Sequence, residues 1–302
     1  MTSTAAESDR PDLSICIVSW NAREYLAQAL RSIREAGCAA SIEVVVIDNA
    51  SHDGSPEMVA EQFPWVRLIA NPDNAGFARA NNQGIAASRG RYVLLLNPDT
   101  IVHPCACDGL VAAIEARPGA AAVGPLVLNR DGSVQYSART FPTLRAALFR
   151  LFTWHRAVRR YLLADWDHRS AREVDWASGA AICLRREAIE KVGALDEQFY
   201  MYCEDMDWCY RARQAGWSIW HDPVATITHL RGASSDQCAA RMVLAFHRSM
   251  RQFYWKHYAP GVPWPVRWIP VVGIWLRAAA VLAQVAIGAV GRWLRQAGSK
   301  RV

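Results

Sequence analysis

The feature that most constrains this chain is a short, unbroken apolar run that stops abruptly on polar residues. Tyr92–Leu96 has the length and apolarity of a strand buried on both faces, and Asn97-Pro98-Asp99 follows it directly. Pro98 has no N–H for a central ladder, so the sheet stops there and polar side chains stand at the strand's carboxyl end. In open α/β sheets that edge is where ligands bind, and a carboxylate there can hold a hard divalent cation that grips a diphosphate. Asn, Pro and Asp are also common turn residues, so this stretch alone leaves both readings open.

The same grammar repeats upstream. Leu13–Ser19 reads as a buried strand, and Glu24–Ala36 as a helix with Tyr25, Leu26, Ala29, Leu30 and Ile33 on one face. Ile42–Ile47 is a second, β-branched strand that runs into Asp48-Asn-Ala-Ser-His-Asp-Gly-Ser55. A helix is expected next, with Ser55 as N-cap and Pro56 in the first position. Val66–Ile69 is a third strand, followed by the loop Asn71-Pro-Asp-Asn-Ala-Gly76 and a helix over Phe77–Ala87. Alternating strands and helices predict right-handed βαβ units, hence an α/β fold with a mainly parallel central sheet and flanking helices.

Every polar cluster then falls at a strand's carboxyl end, on one rim. No GxGxxG follows the first strand and no GxxxxGK[ST] occurs, so that rim must hold a ligand with side chains. The candidates are Ser19, Asn21, Asp48, Asn49, Asn74, Asn81, Asn97 and Asp99. For Asp48, capping the loop Asn49–Gly54 is an equally good reading.

These segments carry a resemblance. Ile17-Val-Ser-Trp-Asn21, Val46–Ser55, Asn74-Ala-Gly-Phe-Ala-Arg-Ala-Asn81 and Leu95-Leu-Asn-Pro-Asp99 resemble family 2 inverting glycosyltransferases, which have the GT-A fold. The likeness continues through Trp176-Ala-Ser-Gly-Ala180, Val192-Gly-Ala-Leu-Asp196, Phe199–Asp207, Arg211–Gly216 and Pro223–His229. It covers residues 12–257 and is nearest the rhamnosyltransferase-like subgroup that builds bacterial surface polysaccharides.

The resemblance implies roles. Asp48 would read the base of a nucleoside-diphosphate sugar, flanked by Ser19 and Asn21, with Asn49, Asn74, Asn81 and Asn97 completing the donor site. Asn97-Pro98-Asp99 matches the family's Asp-x-Asp metal motif, except that its first Asp is Asn97, which leaves Asp99 as the carboxylate for Mg²⁺ or Mn²⁺. His229 would complete the metal or diphosphate site. Asp205, with Glu204 beside it, would supply the catalytic base, and Trp176 and Gly179 would meet the acceptor. Without the resemblance, Glu204-Asp-Met-Asp207 reads equally well as acids favoured in a helix's first turn.

Charge divides the chain. All 28 acids precede residue 237, while Gln237–Val302 carries ten Lys and Arg, so an acidic body is followed by a purely basic, Trp-containing tail. Such a tail fits an anionic surface. Its apolar content favours membrane over nucleic acid. Trp268–Leu276 and Ala278–Gly291 are each short for a spanning helix of ~20 residues, and Arg277, Gln284, Gly288, Arg292 and Arg295 fall on one stripe. The expectation is a helix lying in the membrane interface, with a core helix or homodimer contact as the alternative. A second basic stretch, Arg139 to Arg160, lacks acids and reads either as a solvated helix or as an amphipathic lid. Eight Cys without a CxxC pair point to reduced thiols, and the polar N-terminus carries no export signal.

The expected organisation is a polar N-terminus at 1–11 and a glycosyltransferase domain at 12–257, split near residue 100 into nucleotide and acceptor halves. A basic helical tail at 258–302 would hold it on the cytoplasmic face of a bacterial inner membrane. The expected reaction passes one sugar to a polyprenyl-diphosphate-linked or other saccharide acceptor. Two alternatives remain at this point: a processive polysaccharide synthase, whose Gln-x-x-Arg-Trp signature Gln252-Phe-Tyr-Trp255 does not match, and a non-catalytic nucleotide- or carbohydrate-binding scaffold.

Overall fold

The computed structural model of the protein describes residues 10–142, 154–230 and 239–299. The first half alternates as expected: β1 (Leu13–Ser19), α1 (Arg23–Glu35), β2 (Ile42–Asp48), α2 (Ser55–Gln62), β3 (Arg67–Ala70), α3 (Phe77–Ala87) and β4 (Tyr92–Leu96). The second half adds β5 (Thr100–Val102), α4 (Ala106–Glu115), β6 (Ala120–Leu128), β7 (Ala138–Arg139), α5 (Trp154–Tyr161), β8 (Arg172–Val174) and β9 (Trp176–Ala177). Then come β10 (Ala181–Arg185), α6 (Arg186–Val192), α7 (Glu204–Gln214), β11 (Ser218–His229), α8 (Ala239–His257) and α9 (Trp268–Ser299).

Strands β3-β2-β1-β4-β10-β6-β11-β5 form one sheet in that order, with β8 paired to β11 and a separate ribbon of β7 and β9. The four strands of the first half are parallel, because each is joined to the next through a helix. β10 enters between β4 and β6 and runs antiparallel to both. Its amino-terminal end therefore reaches the rim where β1, β2 and β4 end, and the Asn97 N–H donates to the Ala180 carbonyl at 3.0 Å.

Apolar side chains fill both faces of the sheet. β1 is buried along its whole length. Leu26, Leu30 and Ile33 of α1 pack on Leu13, Ile15 and Ile17, each contributing about 1.5–3 kcal/mol by burial. Phe199 and Trp208 pack with Val93, Leu95 and Ile182 in the other large cluster. A rigid sheet of this kind holds its carboxyl-end rim in place.

Two local expectations change. Ser55 is the first residue of α2 and Gly54, at φ 79°, caps it. The Ser55 hydroxyl donates to Asp53 Oδ1 at 2.5 Å, while Asp53 Oδ2 accepts the Arg23 N–H, so Asp53 is the residue that organises this corner. In the tail, α9 passes through Arg277 without a break, so the two apolar blocks act as one. The stretch Trp268–Ile287 has a mean hydropathy of 1.8 and is long and apolar enough to cross a membrane. Arg277 lies over the Phe246 ring of α8, 5.9 Å from its centroid, which turns Ile269, Val272, Leu276 and Ile287 outward. Of the lid expected between Arg139 and Arg160, residues 143–153 lie outside the described residues, and α5 covers its last turns. Of its basic positions, Arg159 pairs with Asp165.

Candidate active site

The rim collects the polar residues at the strand ends. Ser19 and Asp48 are register partners at the ends of β1 and β2. Both are buried, and the Ser19 Oγ and Asp48 Oδ1 have no hydrogen-bond partner. Asp48 Oδ2 accepts the Ser51 N–H at 2.9 Å. The two readings of Asp48 therefore divide between its oxygens: one caps the loop, and the other is a buried acceptor left over. Buried polar atoms are rarely left unmatched, so this pair fits a ligand with donors of its own.

The asparagines separate into builders and contacts. Asn21, at φ 48°, accepts the His52 N–H on Oδ1 at 2.8 Å. Asn49 donates to the Gly76 carbonyl and accepts from Asn71, so both ends of its amide are used within the protein. Asn81 is buried and donates to the Phe77 carbonyl one helical turn back. Asn74 Oδ1 takes the Gly76 N–H and the Tyr200 hydroxyl. Gly76 itself, at φ 85°, lies so close to Tyr200 that a Cβ would come within 2.7 Å of that ring. With these bonds Asn49 and Asn81, expected at the donor, also brace the loop and helix that shape the rim.

Across the rim stand Asn97, Asp99 and His229. β11 pairs antiparallel with β5, which sets His229 opposite Thr100. His229 Nε2 lies 3.1 Å from Asp99 Oδ1 and 3.3 Å from Asn97 Nδ2, and His229 Nδ1 lies 2.7 Å from Gln135 Oε1. Among the described residues no group of three or more His, Cys, Asp or Glu converges. An imidazole nitrogen and a carboxylate oxygen facing each other at this distance nevertheless suit a cation that takes its remaining oxygens from phosphate and water, as Mg²⁺ does.

The second carboxylate centre lies at the start of α7. Tyr202 and Cys203 are both left-handed, at φ 70° and 65°, a conformation costing about 1–3 kcal/mol per residue outside glycine. This kink delivers Glu204 and Asp205 to the helix N-terminus. Glu204 is 4% exposed and its Oε2 has no partner. Burial first, and then the neighbouring Asp205 charge, push its pKa well above the usual carboxylate range.

Asp205 is partly accessible. Its Oδ2 accepts the Gly179 N–H and its Oδ1 the Met206 N–H, each at 2.7 Å. Burial raises its pKa, and those two N–H groups and the Arg139 charge oppose the rise without cancelling it. An accessible, oriented carboxylate with a raised pKa has the properties of a general base. Gly179, expected at the acceptor, is also the residue whose backbone aims that carboxylate.

A family model described as glycosyl transferase family 2 matches residues 14–193. The chain belongs to glycosyl transferase family 2. Among the family's curated members, an N-acetylglucosaminyl-diphospho-decaprenol L-rhamnosyltransferase of Mycobacterium tuberculosis is 31% identical over 275 residues, covering 85% of this chain and 88% of that one. A low-salt glycan biosynthesis hexosyltransferase, Agl10, of Haloferax volcanii is 29% identical over 222 residues, covering 72% and 67%. The fold is similar to a solved mannosyltransferase, PcManGT of Pyrobaculum calidifontis, in complex with GDP-Man and Mn²⁺. That likeness has a TM-score of 0.57 at 20% identity and covers 94% of this chain and 80% of that one. The expected GT-A fold is the observed one.

Three further residues stand behind these groups in roles that their local sequence does not show. Arg139 lies over the Trp176 ring at 5.0 Å and near the Tyr161 ring at 5.7 Å, where its charge reaches Asp205. Trp176, expected at the acceptor, is 5% exposed, donates to the Thr140 carbonyl and lies under Arg139. Asp207, fully buried, ties α7 to α8 through Arg211, Lys256 and His257 at 2.8, 2.8 and 2.6 Å. Gln135 holds His229. The β7–β9 pairing brings Arg139 onto Trp176, and the position of His229 at the end of β11 brings it to Gln135.

Proposed function

We propose that the protein is a metal-dependent, inverting glycosyltransferase that moves one sugar, rhamnose or a close analogue, from a nucleoside-diphosphate donor to a lipid-linked acceptor. The observation that carries this reading is the division of the rim. The Asp99–His229 pair stands at the end of β4, and Asp205 at the kinked start of α7 is held to the same rim through Gly179, next to the Ala180 carbonyl that takes the Asn97 N–H. Ser19 and Asp48 would bind the nucleotide, and Asp99 and His229 would hold Mg²⁺ or Mn²⁺. A divalent cation bound there supplies Lewis-acid stabilisation of the departing diphosphate. Asp205 would take the proton from the acceptor hydroxyl as it attacks the anomeric carbon in line. Arg139 beside it keeps the carboxylate ionised more of the time.

The acceptor class follows from two supports. The mycobacterial relative is named for a diphospho-decaprenol acceptor. The outward apolar face of α9, bearing Trp268 and Trp275, suits attachment to a membrane that carries such a lipid. We place the enzyme on the cytoplasmic face of a bacterial inner membrane, where nucleotide sugars are made.

The test is direct. The full chain is incubated with Mn²⁺, a panel of nucleotide sugars and a short polyprenyl-diphosphate GlcNAc, and products are read by mass spectrometry. Addition of a single sugar with one donor clearly preferred supports the proposal. Polymer formation points to a processive synthase, and nucleotide binding without transfer to any acceptor points to a scaffold.

A further inference from the structure

We propose that Gln135 is a positioning residue that locks His229 into the Nδ1–H tautomer, so that its Nε2 lone pair is ready for the cation. None of the sequence motifs includes Gln135. It stands in the hairpin that follows β6, 94 residues from His229, and is 6% exposed. The inference rests on the metal reading of Asp99 and His229 and extends it to the groups behind them.

The hydrogen bonds can be assigned in sequence from a group whose role is fixed. An ionised Asp131 only accepts, so the Ser133 hydroxyl, 2.6 Å from Asp131 Oδ1, is the donor of that bond. With its proton committed, Ser133 Oγ accepts from Asn129 Nδ2 at 2.9 Å. Asn129 must then present Oδ1 to Gln135, and Gln135 Nε2 donates to it at 2.8 Å. Gln135 is left with Oε1 towards His229 Nδ1, at 2.7 Å, and a carbonyl oxygen there requires a proton on Nδ1. A neutral imidazole carries only one N–H, so Nε2 bears a lone pair.

Two facts on the far side of the ring agree. Asn97 Nδ2, a donor, lies 3.3 Å from Nε2, where it can give a hydrogen bond to that lone pair. Asp99 Oδ1 lies 3.1 Å from the same nitrogen, so in the neutral Nδ1–H ring two acceptors face each other. A cation between them turns that repulsion into two bonds. The hairpin is itself rigid: Gly132 at φ 80° closes it, Asn129 and Ser133 are bonded through their backbones, and the Gln135 N–H is held by the Val127 carbonyl. Metal-bound histidines commonly give their second N–H to such a partner, and loss of the partner typically weakens metal binding by about 10–100-fold.

The tautomer can be read without metal. In ¹⁵N-histidine-labelled, metal-free protein at a pH where the ring is neutral, His229 should show a protonated Nδ1 and an unprotonated Nε2. Gln135→Met, which cannot accept well, should move the ring towards Nε2–H, donating to Asp99, and weaken Mn²⁺ binding in titrations by about 10–100-fold. Gln135→Glu keeps an acceptor and should preserve both the tautomer and near-normal Mn²⁺ affinity. A wild-type ring with Nε2–H, or a folded Gln135→Met protein with unchanged tautomer and Mn²⁺ affinity, overturns the proposal. A wild-type ring with Nδ1–H in a protein that binds no Mn²⁺ overturns the metal reading instead.

Discussion

His229 Nε2 and Asp99 Oδ1 lie 3.1 Å apart although 130 residues separate them in the chain. The pairing of β11 with β5 makes the contact, and the Leu230 N–H seals it by donating to the Asp99 carbonyl. Neither residue reaches the other through local structure, so their meeting is a property of the whole sheet.

If this pair holds the cation, Asp99→Ala should remove its one carboxylate. Donor affinity, measured calorimetrically with and without EDTA, should lose its metal dependence, and turnover should collapse. His229→Ala should weaken Mn²⁺ binding more mildly, because water can partly replace a nitrogen ligand. Metal-stimulated turnover near wild type in Asp99→Ala would show that the strand-end motif is only a turn.

The raised pKa of Asp205 sets a pH dependence. A base works only when ionised, so the single-turnover transfer rate should fall as pH drops through a value above the ordinary Asp range of about 3.9. Burial raises that value and the Arg139 charge restrains it. Arg139→Met should therefore shift the acid limb to higher pH, and Arg139→Lys should shift it less. A limb that does not move in Arg139→Met would remove Arg139 from the base's environment.

Asp207 makes the opposite case. Burial alone would raise its pKa, but His257, Lys256 and Arg211 hold it below the usual value. An acid with a depressed folded pKa stabilises the fold above its unfolded value and loses that contribution as pH falls through the folded one. Asp207→Asn should cost about 3 kcal/mol in urea unfolding at neutral pH, the lower end for a broken buried ion pair because its partners keep some solvent. The gap to wild type should narrow on acidification below pH ~4. A constant difference from neutral to acid pH would contradict this role.

The tail gives a separable outcome. Truncation after Pro260 should move the protein from the membrane pellet to the supernatant and lower transfer to a lipid-linked acceptor. Donor binding should persist, since the rim residues all lie upstream. Release of the wild-type protein by high salt alone would indicate charge attraction rather than burial of the Trp-bearing apolar face, because salt screens the former. An aggregated truncation would favour α9 as a core or dimer helix.

Much of this was legible in the chain where local chemistry decides it. β1, α3 and β4 have the bounds their apolar patterns give, because burial on both faces leaves a strand no freedom of register. The strand-end positions of Asp48, Asn97 and Asp99 follow from the same patterns. What was hidden depends on pairing between distant elements. That β10 inserts antiparallel, that Asn49 and Asn81 spend their amides on neighbours, and that Gln135 backs His229 are consequences of topology, and none alters the local pattern. The tail is helical as expected, and its apolar stretch is longer than its two blocks suggest, because Arg277 interrupts the apolar sequence but not the helix, since it folds back over Phe246.

The most direct test of the whole account is Asp205→Asn under single-turnover conditions with Mn²⁺, donor and lipid-linked acceptor. The amide keeps the shape and the bond from the Gly179 N–H but cannot take a proton. The variant should fold normally, bind donor and Mn²⁺ with normal affinity, and transfer sugar about 10²–10⁴-fold more slowly, the usual worth of a general base. A folded Asp205→Asn enzyme that transfers sugar at more than about a tenth of the wild-type rate, well short of that range, would contradict the assignment of the base.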